Sequence, residues 1–133
     1  MTDETPPRDA RLSLRTIAMP ADTNPSGDIF GGWLMAQMDL AGGTHAIHRA
    51  QGRVATVAVE GMTFHKPVYV GDEVTCHTRI TRAGNTSVSV LVEVWVERCR
   101  GSRVEKVTEG TYTFVALDEH GHKRPIPPTG DEQ

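Results

Sequence analysis

The chain has 133 residues, a formal net charge of −3 and 23% charged residues. That length suits one domain with a single core, and the acidic balance argues against a nucleic-acid partner. No apolar run approaches the ~20 residues of a membrane-spanning helix, and residues 1–8 lack the apolar centre of a secretory signal, so no membrane insertion is expected and the expected compartment is the cytoplasm.

In chain order, residues 1–10 are polar and read as a tail. Leu12, Leu14, Thr16 and Ala18 alternate with polar neighbours, which predicts a first strand ending at Met19-Pro20. A loop of turn formers follows: Asp22, Asn24, Pro25, Ser26, Gly27 and Asp28. After Gly31-Gly32 the period becomes helical, with Leu34, Met38, Ala41 and His45 on one stripe. The spacing predicts one long helix over roughly 31–49, stopped by Gln51-Gly52. From Arg53 the period is two. Residues 54–68 read as a long β segment, in which Gly61 marks a bulge or a close backbone approach.

Gly71-Asp72 then makes a turn, residues 73–82 a strand, and Gly84-Asn85 another turn. Val88, Val90, Val92, Val94 and Val96 give the cleanest alternation in the chain. Leu91 and Trp95 lie on the opposite face, which is expected to be partly covered, for instance by another subunit. Gly101-Ser102 turns the chain into a last strand over 104–117, and residues 118–133 read as a turn and then a tail. The domain is therefore placed at 11–118, between tails at 1–10 and 119–133. One helix followed by four antiparallel strands on tight turns buries itself best across the concave face of the sheet. The expected fold is α+β of hot-dog type, one central helix wrapped by a five- to six-stranded antiparallel sheet, whose bare edges favour edge-to-edge pairing of two copies.

Two features of the helix go beyond scaffold. Asp39 sits among Met35, Met38, Leu40 and Ala41 with no basic residue three or four positions away. It is either a solvated or capping carboxylate, or a partly desolvated base or nucleophile beside a reacting carbonyl. Gly42-Gly43 follow, each costing about 1 kcal/mol relative to alanine, which points to a close approach. At the helix start, Gly31 and Gly32 leave the first amides uncovered by side chains, open to an oxyanion.

Asn24 on its own reads as a residue that serves its turn; beside a carboxylate and a glycine-opened helix it can also orient water or a carbonyl. Asp28 reads as a cap or charge complement of the helix. His45 and His48 lack a third ligand in any metal-site spacing, so no metal is expected. Asp72 and His77 stand five apart in a turn and a strand, a pairing taken as chance. Arg53, Lys66, Arg79, Arg82, Arg98, Arg100 and Arg103 read as a solvated set from which a few can bind phosphates. No Gly-x-Ser-x-Gly, phosphate loop or dinucleotide fingerprint occurs. Cys76 and Cys99 have no motif spacing and are expected as reduced thiols.

Residues 11–127 resemble the YciA-like acyl-CoA thioesterases of the hot-dog superfamily. The resemblance rests on Leu14-Arg15-Thr16-Ile17-Ala18-Met19-Pro20, Asp22-Thr23-Asn24, Gly27-Asp28-Ile29-Phe30-Gly31-Gly32-Trp33 and Gln37-Met38-Asp39. It continues through Gly52-Arg53-Val54-Ala55-Thr56-Val57-Ala58-Val59-Glu60, Lys66-Pro67, Gly71-Asp72, Val92-Glu93-Val94-Trp95-Val96 and Thr113-Phe114-Val115-Ala116. It implies hydrolysis of acyl-CoA to a free acid and coenzyme A, without a cofactor, since coenzyme A is part of the substrate. By the same resemblance Asp39 is the catalytic carboxylate and Asn24 its partner, contributed by opposite subunits of a homodimer, with dimers grouped as a homohexamer. Gly31 and Gly32 would supply the amide that polarises the thioester carbonyl. Gly84, Asn85, Thr86 and Ser87, with Arg82 and Asp28, match positions that would contact the substrate. The chain ends soon after Ile126-Pro127, where some members continue into a further helix. A hot-dog dehydratase would want a histidine in the 20–32 loop, which has none, and an acyl-CoA-sensing regulator would need a DNA-binding module. A non-catalytic acyl-CoA binding protein is the remaining alternative, separated from the enzyme by turnover.

Overall fold

A computed structural model of the chain describes residues 5–98, 101 and 103–128. Five strands, β1 (Arg11–Ile17), β2 (Val54–Phe64), β3 (Glu73–Ala83), β4 (Ser87–Glu97) and β5 (Val104–Ala116), form a single sheet in the order β1-β3-β4-β5-β2. Every neighbouring pair is antiparallel. The one long helix, α1 (Gly31–Ala50), packs against all five strands. Its apolar stripe is as the spacing predicts, with Leu34, Met38, Ala41 and Ala46 buried. Opposite it lie the alternating residues of the central strands, among them Val74, Cys76, Val90, Val92 and Val94, all without exposed surface. Burying both faces at once is what drives a 3.6-period helix onto a 2-period sheet. The hot-dog arrangement expected from the pattern is the one observed.

The two glycines inside the helix have a physical cause. A side chain at Gly42 would come within 3.2 Å of the Phe114 ring and 3.3 Å of Val92 Cγ2. Phe114 on β5 thus reaches the helix backbone because nothing stands between them. Gly61 likewise behaves as its place suggests: its φ is 64°, and the β2–β5 register slips between Glu60 and Thr63. The bulge lays Met62 over Gly110 of β5, where a Cβ has no room.

Strand order departs from the expected run of neighbouring strands. β2 pairs with β5 at one edge, and β1 takes the place beside β3 at the other. β2 also stops at Phe64, short of Val68. The amides of His65 and Lys66 both turn to the Val107 carbonyl, at 2.7 and 3.2 Å, and Pro67, which has no N–H, ends the ladder. Residues 65–72 then cross beside the helix start, where the Ile29 amide bonds the Val68 carbonyl at 3.3 Å. They rejoin the sheet beside β1 through Gly71 N–H to Ala18 O at 2.8 Å and Ala18 N–H to Asp72 O at 3.0 Å.

This crossover is held by charges that the pattern assigned to solvent. Arg98 donates to Asp72 Oδ2 at 2.7 Å, to the Pro67 carbonyl at 3.0 Å and to Glu105 Oε2 at 2.8 Å, while Lys66 donates to Glu105 Oε1 at 2.7 Å. Bonds from Lys66 and Arg98 hold the Glu105 carboxyl at about 2, well below its ordinary range. Burial works against the Arg98 charge, but Glu105 and Asp72 outweigh it and raise its pKa. Arg98 is therefore corrected from the solvated set to a buried ion cluster. Trp95 is 6% exposed within a single chain, with its indole N–H on Glu93 Oε1 at 3.0 Å. The partial cover expected for the Leu91 and Trp95 face is thus present at Trp95 within one chain.

Of residues 119–133, expected as a tail, the described part folds back at Asp118. Arg124 N–H bonds Ala116 O at 3.0 Å, Ile126 N–H bonds Asn85 O at 2.8 Å, and Arg49 Nη1 reaches Pro127 O at 2.6 Å. The free Cys76 thiol is buried and pushed up to about 12 by desolvation. Cys99, Arg100 and Ser102 lie outside the described residues.

Candidate active site

The helix start is open as its glycines suggest. Phe30 is the N-cap and supplies no side-chain bond. The amides just before the helix are used, Ile29 by Val68 and Phe30 by Asp22 O at 3.2 Å. Those of Gly31, Gly32 and Trp33 have no partner among the described residues, the ordinary condition of a first helical turn. A Cβ at Gly32 would meet nothing within 4 Å, so the space beside its Cα is open. Beside it lies a cavity of about 270 Å³ lined by Ile29, Gly31, Leu34, Phe64, His65, Lys66, Pro67 and Val68. A slot of mixed polar and apolar lining, with bare amides at the positive end of a helix, suits an oxygen that gains negative charge.

Asn24 serves the loop before it. Its Oδ1 accepts the amides of Ser26 and Asp28 at 2.9 and 3.1 Å, and its own N–H bonds Asp28 O at 2.7 Å. The turn reading is thus satisfied at one end of the amide, while Nδ2 makes no bond among the described residues. Asp28 is not the helix cap the sequence suggested, because Phe30 holds that position.

Asp39 is half-buried on the helix flank facing β2. Its Oδ1 accepts a 2.6 Å bond from Thr56 Oγ1 on that strand. Sequence reasoning did not single Thr56 out, since a threonine in a strand looks like ordinary β-former. Asp39 stands two turns beyond Gly31, about 12 Å along the axis, and within one chain no hydrogen bond joins it to Asn24. Behind it, the buried Tyr112 hydroxyl donates to Met35 O at 2.9 Å. Burial first, then the charge of Asp39, push the Tyr112 phenol up to about 12.

Gly84, Asn85, Thr86 and Ser87 form the β3–β4 turn, tied by Gly84 N–H to Ser87 O at 2.7 Å and Ala116 N–H to Thr86 O at 2.8 Å. They lie toward the far end of the helix, where Asn85 O takes the Ile126 amide at 2.8 Å and Arg49 of the last helical turn reaches the next residue, Pro127; Arg82, just before the turn, is exposed. The predicted site residues of one chain therefore fall at three stations along α1, not in one pocket. His45 is a packed core residue: its Nδ1 pairs with Thr78 Oγ1 at 2.9 Å, and burial, then Arg11 and His48, lower its pKa. Among the described residues no three His, Cys, Asp or Glu side chains gather as a metal-ligand set, and no helix is long and apolar enough to cross a membrane.

Residues 26–102 match the family model described as thioesterase superfamily. Across 131 residues the chain is 51% identical to the acyl-CoA thioester hydrolase YciA of Salmonella typhimurium, covering 96% of this chain and 97% of that one. The chain belongs to the YciA family of acyl-CoA thioester hydrolases. Its structure is similar to the hexameric thioesterase y2039 from Yersinia pestis, with 50% identity and a TM-score of 0.87 over 91% of this chain and 98% of that one. An acyl-CoA hydrolase from Staphylococcus aureus, solved with butyryl coenzyme A and coenzyme A, is 29% identical with a TM-score of 0.79, over 86% of this chain and 70% of that one. The same hydrolase has been solved as variants in which an asparagine, a threonine or an aspartate is replaced by alanine. The YciA-family fold and enzyme class expected from the sequence are both met.

Proposed function

We propose that this YciA-family hydrolase cleaves acyl-CoA thioesters to a carboxylic acid and coenzyme A in sites that each draw on two copies of the chain. The observation that carries the reading is the Asp39–Thr56 pair on the open edge of the sheet. The asparagine and threonine replaced in the Staphylococcus aureus hydrolase stand fifteen positions before and seventeen after its replaced aspartate. Asn24 and Thr56 stand at the same intervals from Asp39 (39 − 24 and 56 − 39).

Geometry supports the second copy. One carbonyl needs its oxyanion donor and its base within hydrogen-bond reach, whereas Gly31 and Asp39 are about 12 Å apart on a rigid helix. The β2 edge is unpaired and apolar, with Val57 57% exposed and Leu40 on the neighbouring helix face 59% exposed. Pairing two such edges about a two-fold axis sets the helices antiparallel. Asn24, Gly31 and Gly32 of one copy then meet Asp39 and Thr56 of the other. The β3–β4 turn of that second copy, at its helix C-terminal end, lies on the same side, open to the coenzyme. The hexameric Yersinia pestis relative supports grouping of such dimers in threes.

In the proposed step a water attacks the thioester carbon while Asp39 takes its proton and Asn24 Nδ2 holds it in line. The charge that develops on the carbonyl oxygen is met by the Gly31 or Gly32 amide, one such donor being worth about 3 kcal/mol. The C–S bond then breaks and coenzyme A leaves as its thiolate, which needs no strong acid. Direct attack by Asp39, through an anhydride that water opens, is the rival route. Neither route calls for a cofactor.

Thiol release from a panel of short- to long-chain acyl-CoAs, by wild type and Asp39→Asn, is the test. Wild type should release thiol, with the panel giving the chain-length preference, and Asp39→Asn should lose about 10²–10⁴-fold in kcat. Near-wild-type turnover in Asp39→Asn would remove Asp39 from its role. Binding of acyl-CoA by wild type without release of thiol from any substrate would leave a non-catalytic binding protein.

A further inference from the structure

The helix turn that carries Asp39 is fixed from beneath by two aromatic residues of one strand. On the N-terminal side, the Tyr112 hydroxyl donates to the Met35 carbonyl at 2.9 Å, and Met35 is the residue whose carbonyl also accepts the helical N–H of Asp39. On the C-terminal side, the Phe114 ring lies 3.2 Å from where a Gly42 Cβ would stand and 3.5 Å from that of Gly43. The two rings stack with centroids 6.4 Å apart, and each residue is 2% exposed. The third link runs through β2. Phe114 is the register partner of Thr56, and Thr56 Oγ1 holds the Asp39 carboxylate at 2.6 Å. Backbone and carboxylate of Asp39 are therefore both referred to residues 112–114 of β5, the backbone through Tyr112 and Phe114 and the carboxylate through Thr56.

The geometry points to Tyr112 as a positioning residue for Asp39: its hydroxyl sets the height of the catalytic turn above the sheet so that the carboxylate meets Thr56 in register. This rests on the reading of Asp39 as the group that drives hydrolysis. The physical reason is that packing at Gly42 and Gly43 does not by itself fix the helix along its axis at the turn that carries Asp39. Glycines have no side chains to interlock with the sheet, so ring contact fixes distance but not position along or around the axis. A hydrogen bond is directional, and Tyr112 supplies one at the turn that carries Asp39, as His45 does to Thr78 further along the same stripe. A burial role alone would be met by phenylalanine. The hydroxyl, buried beside the Asp39 charge, is retained against its desolvation only because Met35 O accepts it.

Tyr112→Phe removes one oxygen and opens no cavity, so it is the variant of choice. Steady-state kinetics, thermal unfolding and oligomer size would be measured for Tyr112→Phe, Thr56→Val, the double variant and Asp39→Asn. Tyr112→Phe is expected to lose about three- to tenfold in kcat, the scale of one net hydrogen bond, with KM within about twofold because the substrate contacts are untouched. Since both residues act through the same carboxylate, the double variant should lose less than the product of the two single losses. An unchanged kcat, a KM that rises in step with the loss, or losses that multiply in full would each overturn the inference. Asp39→Asn keeps the two readings apart. If it retains near-wild-type turnover, the role read for Asp39 fails and this inference with it; if it is inactive while Tyr112→Phe turns over like wild type, the positioning role alone fails.

Discussion

Asn24 holds its loop with one end of its amide and leaves the other unbonded among the described residues, so its loop role and the role proposed for it in hydrolysis are separable by a single atom. Asn24→Asp keeps an oxygen for the amides of Ser26 and Asp28, and aspartate is as much at home in such a turn as asparagine. It removes Nδ2, the group assigned to the water or carbonyl. The variant should unfold within a degree or two of wild type yet lose roughly 10²-fold in kcat, the effect of one donor aimed at developing charge. Thermal unfolding and steady-state kinetics on the same preparation check both halves. A kcat near wild type would confine Asn24 to the loop. Asp39 was legible in the sequence because an unpaired carboxylate on a helical stripe stands out. Thr56 was not, since its bond to Asp39 spans seventeen positions and depends on which edge β2 takes. Arg98, Asp72 and Glu105 were missed for the same reason. Each looks solvated on its own element, and only the 65–72 crossover brings them together.

At the scale of elements, the helix period and the β alternations carried enough information to give α1 and the three strands β3, β4 and β5. What local pattern lacks is partner choice: two strands that alternate equally well do not say which lies beside which, and so the position of β2 came only from the structure. The glycine pair in α1 offers a sharper case, where equal sequence signals have different causes. Alanine at Gly42 would gain about 1 kcal/mol of helix propensity, but its Cβ would press on the Phe114 ring at 3.2 and 3.3 Å and on Val92 Cγ2 at 3.3 Å. Both neighbours are buried and enclosed, so overpacking of about 1–3 kcal/mol outweighs the gain. At Gly43 the nearest atom would be Phe114 Cε2 at 3.5 Å, an ordinary contact. Gly42→Ala should therefore destabilise by about 1 kcal/mol, and Gly43→Ala should stabilise by up to about 1 kcal/mol. Denaturant unfolding of the two variants should show opposite signs; equal signs would mean that the sheet, not the individual contact, sets the spacing.

For the whole molecule the question is why one chain carries all the residues proposed for the site and yet holds them apart. Asn24, Asp39 and the β3–β4 turn are strung along a helix of 20 residues, about 30 Å end to end, and no internal motion short of unfolding brings them together. In the proposed assembly two antiparallel copies would solve this by symmetry, each giving its helix start to the other's Asp39. The consequence is testable without a structure of the assembly. Asn24→Asp and Asp39→Asn chains are each expected to form slow enzymes of normal size. When the two are unfolded together and refolded, or co-expressed, every mixed pair carries one site with both native residues and one with neither. Random pairing makes half the pairs mixed, so about a quarter of wild-type activity should return. Recovery well above the sum of the parents, rising and falling with the mixing ratio, would show that the residues act across the two-fold axis. If activity stays at the parental sum while differently tagged chains prove to have formed mixed oligomers, each site must be built within one chain, and the separation of Gly31 from Asp39 would then demand a different oxyanion donor on the Asp39 side of the helix.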